Sequence, residues 1–173
     1  MDITKDIEFA REKIFTRYLC SMKIGEQRIR LLLIGKADKV YRSKGRLFIE
    51  DIKTTFNPEK YSDKFEPYED HKLQVLVYLN SLYTANGSFN SDDWFRISHK
   101  SKAWIIKIID SNDDKIVRIF EAVHTKQAKK YLKTKIERFI LLTLGKNEKQ
   151  HHGSIRKCSS CRLFGMCEYR LEN

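Results

Sequence analysis

The chain of 173 residues carries 34 Lys and Arg against 23 Asp and Glu, which gives a net charge of +11, and 41% of its residues are hydrophobic. This length suits one domain with a hydrophobic core. No apolar run reaches the roughly 18 residues of a membrane span, and the charged N-terminus differs from a secretory signal, so we expect a cytoplasmic protein. The basic excess favours a polyanionic partner but does not locate a site.

The hydrophobic pattern predicts an α/β fold with elements in the order helix, strands, helix, strands, helix. We expect a core domain over 1–145 and a polar tail over 146–173 that packs on the same domain. The predicted elements are an amphipathic helix over 4–20, one bent strand or two strands over 28–42, a turn over 43–45 and the returning strand of a hairpin over 46–55, a buried helix over 71–87, a second hairpin of strands over 103–109 and 115–123, and a helix over 125–145 between Thr125 and Gly145.

Two acidic residues and a lysine on neighbouring predicted strands form a candidate metal site. Asp51 and Lys53 lie two positions apart, so their side chains point to the same face of a strand. Glu50 points to the other face. Asp38 on the preceding strand can lie beside Asp51, and two carboxylates form an oxygen-rich site that suits Mg²⁺ or Mn²⁺. Loosely paired surface side chains are the alternative.

A polar stripe on the predicted helix over 71–87 adds to this site. Gln74 and Tyr78 are four positions apart and therefore lie on one helix face, and His71 falls on the same stripe. An ordinary exposed helix edge would also explain any one of these residues. A polar stripe on an otherwise apolar helix nevertheless requires a polar neighbour, so we expect it to face the acidic site.

The four cysteines indicate a metal centre, since three of them lie within ten residues near the C-terminal end of the sequence. Cys158 and Cys161 form a C-x-x-C pair, and Cys167 follows. Thiolates at this spacing bind one soft metal centre, either an iron–sulfur cluster or zinc. Three structural thiols that cluster by chance are the alternative.

The order and spacing of the acidic and helical motifs resemble those of RecB-type PD-(D/E)XK nucleases. The motifs are GKAD (35–38), IEDIK (49–53) and the Q-x-x-x-Y that begins at Gln74. The resemblance implies a restriction-endonuclease-like core, a mixed central β-sheet flanked by helices, and Mg²⁺- or Mn²⁺-dependent hydrolysis of DNA. It covers the chain from the first predicted element to residue 170.

The same resemblance implies roles for individual residues. Asp38, Asp51 and the backbone carbonyl of Ile52 would bind the metal ion. Lys53 would act on the attacking water or on the charge of the transition state. Gln74 and Tyr78 would complete the catalytic set, because they would position the DNA and the lysine.

The family pattern also includes a metal ligand upstream of the first motif. Many relatives supply a histidine there, and no histidine precedes Asp38. Other PD-(D/E)XK nucleases use a glutamate from the first helix. Glu8 and Glu12 lie four positions apart on the predicted first helix, and Glu12 is the residue that we assign to the metal. Solvated side chains are the alternative for both.

The cysteine tail resembles that of the CRISPR-associated RecB-like exonucleases of the Cas-four type, and related tails occur in AddB and Dna-two nuclease domains. That resemblance implies a four-iron, four-sulfur cluster held by Cys158, Cys161, Cys167 and one upstream cysteine. Cys20 is the candidate fourth ligand, although it lies only eighteen residues before Asp38. A buried thiol at Cys20, with His151 or His152 completing a zinc site, is the alternative.

We therefore predict a DNA nuclease that acts on single strands or ends, as an exonuclease with possible endonuclease activity, in CRISPR adaptation or DNA recombination and repair. The expected partners are DNA and proteins of those pathways, and no membrane. Two other classes remain open: a catalytically inactive, metal-stapled DNA-binding module and a zinc-containing interaction protein.

Overall fold

The computed structural model describes residues 7–84, 95–96 and 102–146, and it describes side chains for 14–81 and 102–146. Within these residues, seven strands form one sheet in the order β5-β4-β1-β2-β3-β6-β7. The strands are β1 (Ile7–Ile24), β2 (Gln27–Ser43), β3 (Arg46–Thr55), β4 (Leu82–Thr84), β5 (Phe95–Arg96), β6 (Lys102–Asp110) and β7 (Ile116–Val123). The helices are α1 (Glu59–Ser62), α2 (Glu69–Leu79) and α3 (Lys126–Thr143).

The sheet is mixed, as predicted for this α/β class. β3 and β6 run parallel, with Ile49 opposite Trp104, and the other neighbouring strands are antiparallel. A parallel pair needs a crossover connection, and α2 lies in that connection. The apolar side of α2 packs on β2, β3 and β6. The core there includes the fully buried side chains of Ile49, Leu76 and Ile106.

The predicted first helix over 4–20 is wrong, because the described part of this segment lies in strand β1, which begins at Ile7. β1 pairs with β2 in an antiparallel register that runs from Ile7 opposite Ser43 to Ile24 opposite Gln27. Burial alternates with period two along β1: the buried side chains are Ile14, Thr16, Cys20 and Met22, and the exposed ones are Arg17, Leu19, Ser21 and Lys23. The long pairing with β2 and the β-branched and aromatic content therefore outweigh the helical spacing of a few apolar residues.

Helix α2 is shorter than the predicted helix over 71–87. It ends at Leu79, where the Asn80 side chain donates to Leu76 O at 2.7 Å and the Ser81 hydroxyl donates to Val77 O at 2.6 Å. These side chains satisfy carbonyls of the last turn, which otherwise have no partner within the helix. The chain then turns into β4, which pairs with β1. The expected stop at Gly87 lies outside the described residues.

The two predicted hairpins are confirmed. Lys44 and Gly45, both at positive φ, form the turn between β2 and β3, and β2 is one continuous strand through Gly35. β6 and β7 form the second hairpin. Helix α3 also begins as predicted, since the Ala128 N–H donates to the Thr125 hydroxyl at 3.1 Å.

Backbone contacts divide the chain into two compact units, Met1–Lys133 and Thr134–Asn173. The candidate site described below lies within the first unit. In the second unit, α3 ends at Thr143, and Gly145 follows at a φ of 67°. None of the described helices is long and apolar enough to cross a membrane.

Candidate metal and catalytic site

An ion pair on strand β3 forms the centre of the site. Lys53 Nζ lies 2.9 Å from Asp51 Oδ2, and the Asp51 side chain is only 2% exposed whereas that of Lys53 is 24% exposed. Asp51 Oδ2 is buried and accepts no hydrogen bond within the described part of the chain. The contact is therefore an ion pair by distance, without the angular geometry of a hydrogen bond. Asp51 keeps an oxygen lone pair that a further positive charge can use.

Helix α2 holds the lysine through a chain of hydrogen bonds. Lys53 Nζ donates to Gln74 Oε1 at 2.8 Å, and Gln74 Nε2 donates to the Tyr78 hydroxyl at 2.5 Å. The first bond uses the carbonyl of the amide and the second uses its NH₂, so Gln74 can satisfy both neighbours only in this orientation. The i, i+4 spacing of Gln74 and Tyr78 thus fixes the position of the Lys53 ammonium group.

Gly35 explains why the first motif begins with glycine. A Cβ placed on Gly35 would lie 2.5 Å from Tyr78 Cε1 and 3.2 Å from the Tyr78 hydroxyl oxygen. No side chain fits there unless the Tyr78 ring moves. The close approach of β2 to α2 therefore links the glycine of the first motif to the tyrosine of the third.

Asp38 lies where β2 separates from β3. The register of this pair runs from Ser43 opposite Arg46 to Lys39 opposite Glu50. Beyond that point the carboxylate of Asp38 takes up a backbone partner, since the Ile52 N–H donates to Asp38 Oδ2 at 2.7 Å. Asp38 is thereby fixed beside the segment that carries Asp51 and Lys53.

The charges at the site oppose one another. Burial raises the pKa of Asp51, the nearby Asp38 carboxylate raises it further, and Lys53 lowers it. Burial also raises the pKa of Tyr78, against the effects of the Gln74 side chain and of the backbone at Lys36. The effects that raise the pKa of Asp51 therefore outweigh the effect of Lys53, and the ionised form of Asp51 is incompletely compensated.

His71 is a further residue at the site that the sequence placed on the α2 stripe without assigning it a role. Its Nδ1 is buried without a hydrogen-bond partner among the described residues. Burial lowers the pKa of His71, and Asp51 and Lys53 lie within electrostatic range. Its ring packs edge-to-face on Tyr68 at 5.8 Å between centroids. In the sequence, only the position of His71 three residues before Gln74, on the same helix face, indicated that it lies at the site.

Glu50 lies on the opposite face of β3, as the alternation predicts. Its carboxylate pairs with Lys107 of β6 at 2.8 Å. Ile105, opposite Glu50 in the register, shares that face with Lys107. Asp51 is therefore the acid next to Lys53.

The other predicted ligands are placed only in part. The backbone of Glu12 lies in β1 opposite Lys39, one residue from Asp38 in the register, and its side chain lies outside the described residues, as does that of Glu8. Cys20 is buried in β1, and burial raises the pKa of its thiol. The remaining predicted ligands all lie outside the described residues: Cys158, Cys161, Cys167, His151 and His152.

A divalent cation fits the two carboxylates. No group of three His, Cys, Asp or Glu side chains lies close enough to hold a metal ion among the residues whose side chains are described. Asp38 and Asp51 nevertheless supply two hard oxygen donors. The buried Asp51 oxygen, which accepts no hydrogen bond from any described residue, is the kind of atom that such an ion would compensate.

Known proteins resemble this chain in fold and in sequence family. A solved structure titled "Crystal structure of SSO0001" has a TM-score of 0.50 and 19% sequence identity, covering 94% of this chain. The chain spans 62% of that protein's length, and at this identity the likeness concerns the fold. A search of the curated proteins finds no match. The model of the PD-(D/E)XK nuclease superfamily matches residues 4–168. The chain thus belongs to the PD-(D/E)XK nuclease superfamily.

Proposed function

We propose that this protein hydrolyses phosphodiester bonds of DNA with Mg²⁺ or Mn²⁺ held by Asp38 and Asp51. The observation that supports this most strongly is the continuous chain from Asp51 through Lys53 and Gln74 to Tyr78. An exposed ion pair contributes little and needs no further partners. Here the carboxylate is buried and the lysine is held by the Gln74 amide, which fits a catalytic role.

Each side chain has a distinct part in this proposal. Lys53 is partly exposed and can reach a substrate while Gln74 keeps its ammonium group in place. The ammonium group orients the attacking water and stabilises the negative charge that develops on the phosphate. Tyr78 fixes the Gln74 amide and acts as a positioning residue, because it does not itself contact Lys53 in the hydrogen-bond chain.

The proposed metal ligands are the carboxylates of Asp38 and Asp51. The resemblance to the superfamily adds the backbone carbonyl of Ile52 and the side chain of Glu12. A bound divalent ion supplies Lewis-acid polarisation of the phosphate and lowers the pKa of a water ligand. Asp38 is already oriented by the Ile52 N–H, so this carboxylate loses little conformational entropy when it binds.

Single-stranded DNA or a DNA end is the proposed substrate. The net charge of +11 favours a nucleic acid. Phe56 and Phe65, which follow strand β3 in the chain, are 81% and 94% exposed. Exposed aromatic rings can stack on unpaired bases irrespective of sequence. We therefore propose exonuclease action on single strands. Possible endonuclease action is tested with a circular substrate.

The C-terminal cysteines are proposed to hold an iron–sulfur cluster together with Cys20, with zinc as the second choice. Such a centre, coordinated by Cys158, Cys161 and Cys167, would stabilise the fold rather than act on DNA. This part of the proposal rests on the sequence resemblance to the CRISPR-associated exonucleases. The same resemblance supports a cytoplasmic role in CRISPR adaptation or in DNA recombination and repair, with proteins of those pathways as partners.

A cleavage assay tests the proposal. Labelled linear and circular single-stranded DNA are incubated with Mg²⁺, Mn²⁺ or EDTA and with wild type, Lys53→Ala or Lys115→Ala. Lys115 is an exposed, salt-bridged lysine in the β6–β7 turn and serves as the matched control. We expect metal-dependent cleavage by wild type and Lys115→Ala, and a rate lower by about 10²- to 10³-fold with Lys53→Ala. The circular substrate shows whether an end is required.

Two outcomes would contradict the proposal. Cleavage that survives in EDTA would exclude the metal site, and DNA binding without cleavage by wild type would leave a DNA-binding module. Thermal melting of each variant shows whether a loss of activity is a loss of folding. A broad absorbance band near about 400 nm in anaerobically purified protein separates an iron–sulfur cluster from zinc.

A further inference from the structure

The hairpin of β1 and β2 has one exposed face that is basic. Its cross-strand pairs, read from the register, are Phe15 with Lys36, Arg17 with Ile34, Leu19 with Leu32, Ser21 with Arg30, and Lys23 with Arg28. We name these ten residues the basic ribbon face. Five of them are Lys or Arg and none is acidic, and the single acidic residue within 14–37 is Glu26 in the turn at the tip.

This face is exposed to solvent, whereas the opposite face of the hairpin is buried. The alternate residues of β1, such as Ile14 and Thr16, are buried, and Gly35 of β2 contacts Tyr78 of α2. All five basic residues of the basic ribbon face are exposed to solvent: Arg17, Lys23, Arg28, Arg30 and Lys36. The ribbon therefore presents its charge on an open surface.

The charge arrangement is unfavourable for the isolated hairpin. Lys23 and Arg28 stand directly opposite each other, and like charges in a cross-strand pair destabilise a sheet. Arg30 lies two residues further along the same face. A polyanion would remove this repulsion. Phosphate groups of DNA are the polyanion that the proposed function already brings to the molecule.

The position of the face relative to Asp38 indicates which part of the DNA it meets. Lys36 lies two residues before Asp38, and Arg28 lies eight residues before Lys36 on the same strand. At about 3.3 Å per residue, the face extends about 26 Å away from the candidate site. This length corresponds to about eight base pairs of a duplex, in which each strand carries one phosphate per 3.4 Å of helix axis.

We propose that the basic ribbon face binds the sugar–phosphate backbone of duplex DNA next to the single strand that enters the candidate site. The inference rests on the proposed function. A duplex is favoured because it is straight over this distance and needs only phosphate contacts. A single strand is bound better where bases stack on aromatic rings, and the ribbon face has one aromatic residue, Phe15, whereas Phe56 and Phe65 lie beyond β3.

The test compares two triple variants in binding assays that contain EDTA, so that cleavage plays no part. The ribbon variant is Lys23→Gln, Arg28→Gln and Arg30→Gln. The matched control variant is Lys115→Gln, Lys126→Gln and Lys129→Gln, which neutralises three exposed lysines elsewhere. Both remove the same number of charges from the net +11. The probes are a duplex with a single-stranded tail and the tail alone.

The ribbon variant is expected to lose about 10- to 100-fold in affinity for the tailed duplex, with a salt slope reduced by about 2 to 3. Its affinity for the tail alone should change by less than about threefold. The control variant should retain the wild-type salt slope and most of the affinity. Because the Lys23–Arg28 repulsion is removed, the ribbon variant should melt no lower than wild type, which excludes unfolding as the cause.

Equal losses in the two variants would overturn the inference, since charge alone would then explain them. A ribbon variant that keeps its duplex affinity but loses binding to vesicles of equal phosphatidylcholine and phosphatidylserine would overturn it in favour of an anionic membrane. Failure of the proposed function is distinguishable: wild type would bind the tailed duplex through the ribbon and cut no substrate in Mn²⁺. If the ribbon variant still cleaves short single strands and also keeps the wild-type affinity for the tailed duplex, the proposed function stands and only the inference about the basic ribbon face is overturned.

Discussion

The two faces of strand β3 carry nearly the same ion pair at adjacent positions. On one face Lys53 lies 2.9 Å from Asp51, and on the other Lys107 lies 2.8 Å from Glu50. In both pairs the carboxylate is buried, and the lysines are 24% and 25% exposed. The distance and burial of an ion pair therefore do not distinguish a catalytic site from a structural contact.

The surroundings of the two pairs differ. Lys53 is also hydrogen-bonded to Gln74, and Asp51 has a second carboxylate, Asp38, within electrostatic range. One Asp51 oxygen accepts no hydrogen bond from the residues that the structure describes. Glu50 and Lys107 link two neighbouring parallel strands. The unsatisfied negative charge on one face is the property that a metal site requires, and the following predictions test this difference.

The largest expected effect is on cleavage by the two lysine variants. Lys53→Met removes the ammonium group and should lower the metal-dependent cleavage rate by about 10²- to 10³-fold, the usual loss for one group that stabilises transition-state charge. Lys107→Met should stay within a few-fold of wild type. Initial rates on single-stranded DNA measure both. A comparable loss in a folded Lys107→Met protein would remove the distinction between the faces.

The two acids should differ in stability. Glu50→Gln leaves Lys107 without its partner and should lower the free energy of unfolding by about 1–3 kcal/mol, less than for a fully buried pair because Lys107 is partly exposed. Asp51→Asn removes a charge that burial disfavours, so without metal it should be as stable as wild type or more stable. Urea unfolding in EDTA measures the difference. A reversed order of the two variants would be incompatible with this account.

Gly35→Ala should disturb the site through Tyr78. The added methyl would overlap the ring, and forcing such a group into a packed site costs about 1–3 kcal/mol. Cleavage should fall with it, since Tyr78 holds Gln74. Tyr78→Leu in the same chain should relieve the overlap, so the double-mutant cycle should show a coupling of about 1 kcal/mol or more. Additive losses would mean that the two residues do not meet.

The smallest effect concerns pH. The pKa of Asp51 is raised in the folded protein, so the folded state takes up this proton more readily than the unfolded state and gains stability as the pH falls. The stability advantage of Asp51→Asn in EDTA should therefore be greatest at neutral pH and should shrink as the pH falls through the raised pKa. Unfolding curves at several pH values measure this trend. An advantage that grows on acidification would mean that Asp51 is stabilised as a carboxylate.

The parts of the molecule that the sequence predicted correctly depend on short-range geometry. Period two places Asp51 and Lys53 on one face of β3 and Glu50 on the other, and the i, i+4 rule places Gln74 beside Tyr78. Both relations follow from the local backbone alone. The α/β class and the hairpins likewise follow from alternating apolar strands and turn residues.

The parts that the sequence did not predict depend on contacts between distant segments. The segment over 4–20 has helical spacing of a few apolar residues, yet its described part, from Ile7 onward, pairs with β2 as a strand. The contact of Gly35 with Tyr78 joins residues 43 positions apart, and only the packing of β2 on α2 reveals it. The burial of His71 Nδ1, which has no hydrogen-bond partner in the described part of the chain, likewise requires the tertiary structure.

The most direct test of the account is metal binding on the Asp51 face. Calorimetric titration with Mn²⁺, without DNA, compares wild type with Asp51→Asn and Glu50→Gln. The account predicts Mn²⁺ binding by wild type and by a folded Glu50→Gln protein, and loss of that binding in Asp51→Asn. Equal Mn²⁺ binding by wild type and Asp51→Asn, or a loss in Glu50→Gln alone, would contradict it.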